Sequence, residues 1–207
     1  MYSEWFTKTT EYSTMYHELP HRATFWSFLF SVDQDLAQSA REKACPCGGR
    51  LHLANYARKP RGSAEDLPKD YDYRFSFCCE RDGCRKRVTP PSVRFLGRKI
   101  YLFAVVVLVS AMRQGPSPRR VRELSQVFGA DRRTIARWQV FWRERVPQTP
   151  FWKSARGWLR ATAQSIVLPR SLLDVFLPGD DLCQAWGNLL LFLSPITTTG
   201  GSPNEVA

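Results

Sequence analysis

Cys45-Pro46-Cys47-Gly48-Gly49 and Cys79-Glu80-Arg81-Asp82-Gly83-Cys84 decide how this chain is read. Two close cysteine pairs, far apart in sequence, supply the four soft ligands of a tetrahedral metal site. Glycine stands in each turn, so the backbone can bend and bring N–H groups to thiolate sulfur. Cys78 and Cys79 are neighbours, and only one of them can face a metal. Phe77 belongs to an apolar face, and strand alternation directs Cys79 with it. The expected ligands are Cys45, Cys47, Cys79 and Cys84, holding one structural Zn2+. His52, five residues after Cys47, is a candidate substitute, although an exposed strand histidine is the plainer reading. A catalytic zinc would keep an open position beside a base, and four thiols leave none open. Cys183, alone among Asp181, Leu182 and Trp186, reads as a plain buried thiol.

Between the pairs the pattern has a period of two. Leu51 and Leu53 alternate with His52 and Ala54, and Tyr71, Tyr73, Phe75 and Phe77 alternate with Asp72, Arg74 and Ser76, so both stretches read as strands. ARKPRGSAEDLPKD lies between them and reads as a long hairpin loop. Upstream, Phe25, Phe28, Leu29, Val32 and Leu36 fall on one face of a helix over 22–43. Residues 1–21 show no periodicity.

Downstream the period becomes helical. A first helix is expected over 98–113. Ser117-Pro118 opens a second that runs to Phe128. Gly129 breaks it, Asp131 caps a third that runs to about Arg145, and Pro147 and Pro150 stop the run. Within VRELSQVFGADRRTIARWQVFW, residues 121–142, Val121, Leu124 and Phe128 form one inner face and Ile135 and Trp138 the other. Small Ser125 and the turn glycine let the two helices meet. Arg132, Arg133, Thr134 and Arg137 are then expected to face outward from the third helix, where such motifs enter the major groove. Arg119, Arg120 and Arg122 are expected to meet phosphate at the start of the second. Trp152, Trp158, Leu159, Leu172, Leu173, Leu189, Leu190 and Leu193 are core candidates of two or three further helices.

Charge agrees with this division. The chain of 207 residues has a net charge of +11. Residues 81–145 hold sixteen Lys and Arg against four acids, so this segment is +12 and the remainder −1. Such a stretch is the footprint of a polyanion partner. The start, MYSEWFTKTTEYS, lacks the basic head and apolar run of a secretory leader. The expected location is the cytoplasm, where thiols stay reduced and clustered cysteines read as metal ligands. The longest apolar run, 100–109, is half of what a membrane span needs, so no membrane partner is expected.

On these residues the chain resembles the N-terminal half of bacterial insertion-sequence transposases, in which a zinc ribbon precedes a helix-turn-helix. The Cys45/Cys47 and Cys79/Cys84 pairs, Arg85-Lys86-Arg87, the helix pair over 120–142 and the block PPSVRFLGRKIYL carry the resemblance, which covers roughly 45–146. It implies recognition of the terminal repeats of a mobile element. One departure matters. Such transposases continue into a ribonuclease-H-like domain with three metal-binding carboxylates. Here about sixty residues follow position 146, with Asp174, Asp180, Asp181 and Glu205 as their acids, too few for an α/β catalytic domain.

The expected fold class is α+β, mainly α: an N-terminal segment and helix over 1–44, a small β zinc ribbon over 45–92, a helix-turn-helix domain over 98–146, a helical region over 147–195 and a disordered tail over 196–207. The expected function is sequence-specific binding of double-stranded DNA without an own catalytic centre, any cutting and joining coming from a partner transposase chain. A transcription regulator using the same helices is one alternative. An RNA or single-strand binder with Tyr71, Tyr73 and Phe75 as a stacking platform is another. No HExxH, P-loop, GxSxG or paired-carboxylate motif is present, so the chain is not expected to be an enzyme. Oligomeric state stays open.

Overall fold

A computed structural model describes residues 23–62, 67–96, 101–111, 122, 126, 128–160, 166–178 and 181–198. The fold is α+β and mainly helical. Helix α1, Ala23–Glu42, is followed by five short strands: β1 Leu51–Leu53, β2 Tyr56–Ala57, β3 Tyr73–Arg74, β4 Phe77–Cys79 and β5 Arg87–Val88. A 3-10 turn over Lys69–Asp72 precedes β3. Among the described residues the α-helices that follow are α2 Phe103–Ala111, α3 Arg132–Val140, α4 Pro150–Arg160, α5 Arg170–Phe176 and α6 Leu182–Leu193.

The strands form two antiparallel sheets. One has the order β1-β4-β5, with Leu51 opposite Cys79 and Phe77 opposite Val88; the other pairs Tyr56 with Arg74. Period-two alternation holds for Phe77 to Cys79 and fails at Tyr71. That residue sits in the 3-10 turn, fully buried, and its hydroxyl donates to the Trp26 carbonyl at 2.8 Å.

Helix α2 is apolar on every side, so it can only be a buried centre. All its residues except Ser110 are buried. Around it pack α3, α5 and α6, and α1 packs against α6, with Trp138, Trp142, Trp186, Leu172, Leu189 and Leu190 in the same core. A second, smaller core holds Ala37, Leu51, Phe77, Cys45 and Cys79. Helix α1 serves both, through Phe25, Trp26 and Leu29 at one end and Ala37 at the other. Its buried residues are Phe25, Trp26, Leu29, Asp33 and Ala37; of the expected face Phe25 and Leu29 are buried, whereas Phe28, Val32 and Leu36 are only partly buried and pack against the core.

Asp33 on that side is buried with its carboxylate fully paired. Its Oδ2 accepts from Arg94 Nε at 2.7 Å and from the Ser92 hydroxyl at 2.7 Å, and its Oδ1 from the Val93 amide at 2.6 Å. Arg94 also donates to the Asp70 carbonyl at 2.7 Å. Five rings, of Phe30, Tyr71, Tyr73, Phe75 and Phe95, stand 4.9–5.9 Å from its guanidinium carbon. Arg74 adds bonds to the carbonyls of Phe95 and Pro90. The connection from β5 to α2 is thereby fastened to α1 and to the turn before β3.

The last helical turn, Ser194–Thr197, is part of the same structure. Thr197 Oγ1 accepts from the Ser92 amide at 3.0 Å, and Ile196 is buried. The disordered tail expected from 196 therefore does not begin there; residues 199–207 lie outside the described ones. Trp158, expected in the core, is 51% exposed. Its ring packs at a tilt on Phe176 and Phe192. Among the described residues no helix is long and apolar enough to cross a membrane.

Candidate metal centre and basic helix

Two tight turns bring the cysteines together. In the first, the Gly48 amide donates to the Cys45 carbonyl at 2.8 Å and the Cys45 amide to the Gly49 carbonyl at 3.1 Å. Gly48 sits at φ +81, which a glycine adopts without strain. In the second, the Cys84 amide donates to the Arg81 carbonyl at 3.1 Å, and Gly83 sits at φ +86. Arg81 ties the two turns together, since its Nη1 donates to the Cys47 carbonyl at 2.6 Å.

The sulfurs of Cys45, Cys47, Cys79 and Cys84 all lie within 4.8 Å of one another. Cys45 and Cys84 are 3.7 Å apart, and Cys47 and Cys79 3.5 Å. A zinc–sulfur bond of about 2.3 Å gives a tetrahedral sulfur–sulfur edge of about 3.8 Å. The cluster thus has the size of a four-thiolate metal site, and these four cysteines could hold a metal ion. Backbone amides supply the rest of the environment. The Gly49 amide, followed by the neighbouring thiols, lowers Cys47 to about 6. At Cys79 the Arg81 amide favours the thiolate, but burial and the neighbouring thiols outweigh it and push the group up to about 12. One thiol is thus ready to ionise before metal arrives, and another needs the metal's charge.

The neighbours of the cluster are equally clear. Cys78 lies on the other face of β4, with its Sγ 3.4 Å from the Arg85 carbonyl. His52 is exposed, and its Nε2 bonds to Glu80 Oε2 at 2.9 Å instead of reaching the sulfurs. That bond, with the Arg50 amide, holds the Glu80 carboxyl below the usual carboxylate range. Cys183 is half-buried against the main core.

Gly49 is the sharpest constraint on the centre. A Cβ there would lie 2.6 Å from Cys79 Sγ and 3.4 Å from Cys47 Sγ. Gly49→Ala is therefore expected to remove metal from the purified chain as completely as Cys79→Ser does. Cys78→Ser is expected to keep it. Elemental analysis of the three variants checks this: full metal in Gly49→Ala would mean that Gly49 does not constrain the site, and full metal in Cys79→Ser that the four-cysteine cluster does not close around an ion.

Helix α3 begins as expected. Gly129 has φ +62, and Asp131 caps the helix by accepting from the Thr134 amide at 2.7 Å. That amide also holds the Asp131 carboxyl below its usual range. Ile135 and Trp138 face the core, and the Trp138 ring stands edge-on to Tyr101 at 4.9 Å. Arg132 and Arg133 are exposed in the first turn. Thr134 corrects the expectation: it is 5% exposed rather than outward. It lies on the same side as Ile135 and Trp138, and its hydroxyl accepts from Arg137 Nη2 at 3.2 Å. Arg137 is half-buried along this side. The helix continues through a π turn, Phe141–Arg145, which keeps Phe141 and Trp142 buried. Arg122 is exposed, whereas Arg119 and Arg120 lie outside the described residues.

The stacking platform expected of the strands is not free. Tyr71 is buried, and Tyr73 and Phe75 are half-buried around Phe30 and Arg94. Sequence reading missed the Asp33–Arg94 pair altogether. The available signal was an acid in the centre of an apolar helical stripe.

No protein-family model, no curated protein and no solved structure matches this chain.

Proposed function

We propose that this chain is a zinc-stabilised, sequence-specific binder of duplex DNA, built like the DNA-binding portion of an insertion-sequence transposase and lacking a catalytic centre of its own. The observation that carries the reading is the start of α3. Its inner side is fixed by Ile135 and Trp138, its N-terminus is capped by Asp131, and Arg132 and Arg133 stand exposed in the first turn. A helix held in this way can enter the major groove with its N-terminal arginines toward base edges. Zinc acts as a structural clip in the ribbon formed by the cysteine turns and β1-β4-β5. The four-sulfur geometry supports this assignment, and a site closed by four thiolates leaves no position for substrate.

A transcription regulator would use the same residues, and α3 does not separate the two roles. The single-strand reading through Tyr71, Tyr73 and Phe75 has less support, because those rings are engaged with Phe30 and Arg94.

The experiment is selection of duplexes from a random pool, followed by titration. Arg133→Ala is expected to cost about 1–3 kcal/mol on the selected site, the value of a good bidentate base contact. It should cost less on random duplex. The same protein with magnesium or manganese is expected neither to nick nor to join DNA. Cleavage by a clean preparation, lost on Asp174→Ala or Asp181→Ala, would refute the non-enzymatic part.

A further inference from the structure

The cysteine-bearing sheet carries a second cationic surface. The strand register places His52, Cys78 and Arg87 in one row across β1, β4 and β5, on the face opposite Leu51, Phe77 and Cys79. His52 and Arg87 in that row are exposed. Arg87 does not hang free in solvent. Its Nη1 donates to the Ala54 carbonyl at 2.9 Å and to the Ser76 hydroxyl at 3.1 Å. Its guanidinium also stands 5.9 Å from the Tyr56 ring, while that of Arg58 lies 4.8 Å from the same ring and donates to the Tyr56 hydroxyl at 3.2 Å. Tyr56 is half-exposed between them.

This arrangement has a physical meaning. The acceptors and the ring that hold Arg87 are neutral, so its charge is not cancelled. Its side chain is already ordered, so an anion that binds it pays little for fixing it. Next to it, exposed Arg85 and Lys86 extend the cationic edge, with Arg85 held at φ +43 by the knuckle. Among the described residues the acids nearby are exposed Asp72, whose carbonyl accepts from the Arg58 amide, Glu80, engaged by His52 and the Arg50 amide, and exposed Asp82.

We infer that this face, made by Tyr56, Arg58 and Arg87 and bordered by the exposed Arg85–Lys86 edge, is a second contact to the phosphodiester backbone of duplex DNA, outside the base pairs met by α3. It goes beyond the proposed function, which uses α3 alone, and rests on that reading only for the choice of duplex as ligand. The described part of the chain that leaves the sheet toward α2 is fastened. Residues 92–96 are all buried, and Asp33, Arg74 and Thr197 hold that segment.

The test uses the full, zinc-loaded chain and a random-sequence duplex titrated across a KCl series. Arg85→Gly keeps the left-handed backbone, and Lys86→Gln keeps a long polar stem. Together they are expected to flatten the salt slope by about one to two, the change for one or two lost phosphate contacts. Affinity at low salt should fall about tenfold. Zinc content and melting temperature should stay at wild-type values. Tyr56→Leu, which removes the ring beside both guanidinium groups and the hydroxyl that Arg58 bonds, is expected to weaken binding without changing the slope.

Wild-type slope and affinity in both variants would overturn the inference. So would a single-stranded RNA that displaces the duplex from wild type more effectively than duplex competitor does. The inference and the α3 reading fail separately. If Arg132→Ala/Arg133→Ala loses site discrimination while the sheet variants are neutral, α3 stands and the sheet is structural only. If the sheet variants lose affinity while the α3 variant is neutral, the reverse holds.

Discussion

Asp33→Ala is expected to destabilise the fold by about 3–5 kcal/mol, the cost of removing one partner from a buried ion pair. The carboxylate is 2% exposed and meets Arg94, Ser92 and Val93 at 2.6–2.7 Å. Alanine would leave the guanidinium charged in a ring of aromatics, with a buried amide and a buried hydroxyl short of an acceptor. The loss would also reach Arg94 as the tie between α1 and the turn before β3. Urea denaturation followed by tryptophan fluorescence measures it, since Trp26 lies in the same core. Asp35→Ala, two residues away and exposed, is expected to change stability by about 0.5 kcal/mol or less. Equal effects of the two substitutions would mean that the buried pair does not organise the fold.

Removing the metal is the second large perturbation. Structural zinc in small four-ligand modules is worth about 10–16 kcal/mol of apparent binding energy near neutral pH. The second core around it is small, made of Ala37, Leu51, Phe77 and the cysteines themselves, and cannot replace that contribution. A strong chelator is expected to open the amides of Cys45, Gly48, Cys79 and Cys84 to hydrogen exchange. The α2 core, with its tryptophans and leucines, should remain protected. The sign with pH follows from the thiols. Metal requires thiolates, so affinity rises with pH and is lost as protons compete in acid. Cys47 lies at about 6 and Cys79 at about 12, so uptake at neutral pH should release protons, with Cys79 a principal source. Uptake without proton release in weak buffer would argue against thiolate ligation.

Much of this was legible in the residues. The cysteine spacing and alternation after Phe77 pick out the four clustered sulfurs and set Cys78 aside. Gly129 and Asp131 mark the start of α3, because a left-handed turn and an N-cap each have a local chemical signature. What stayed hidden is tertiary. The Tyr71 to Phe77 alternation is read as one strand, yet Tyr71 is drawn into a 3-10 turn by its bond to Trp26 and by burial against Phe95. Thr134 is polar and was expected outward, yet its hydroxyl meets Arg137 on the inner side. Nothing local announces that Asp33 pairs with an arginine 61 residues away. Nor does local sequence tell that Ile196 and Thr197 close the structure rather than leave it.

In the proposed function a clipped, arginine-led α3 reads duplex DNA. The most direct measurement is the affinity ratio between selected and random duplex for wild type, Arg133→Ala and metal-free protein at one salt concentration. The account predicts a large ratio for wild type. It predicts a ratio reduced by about ten- to a hundredfold for Arg133→Ala, the equivalent of one bidentate base contact. Metal-free protein should bind both duplexes more weakly. Equal affinity of wild type for both duplexes, or a ratio untouched by Arg133→Ala and by loss of the side-chain charge at Arg132, would contradict it.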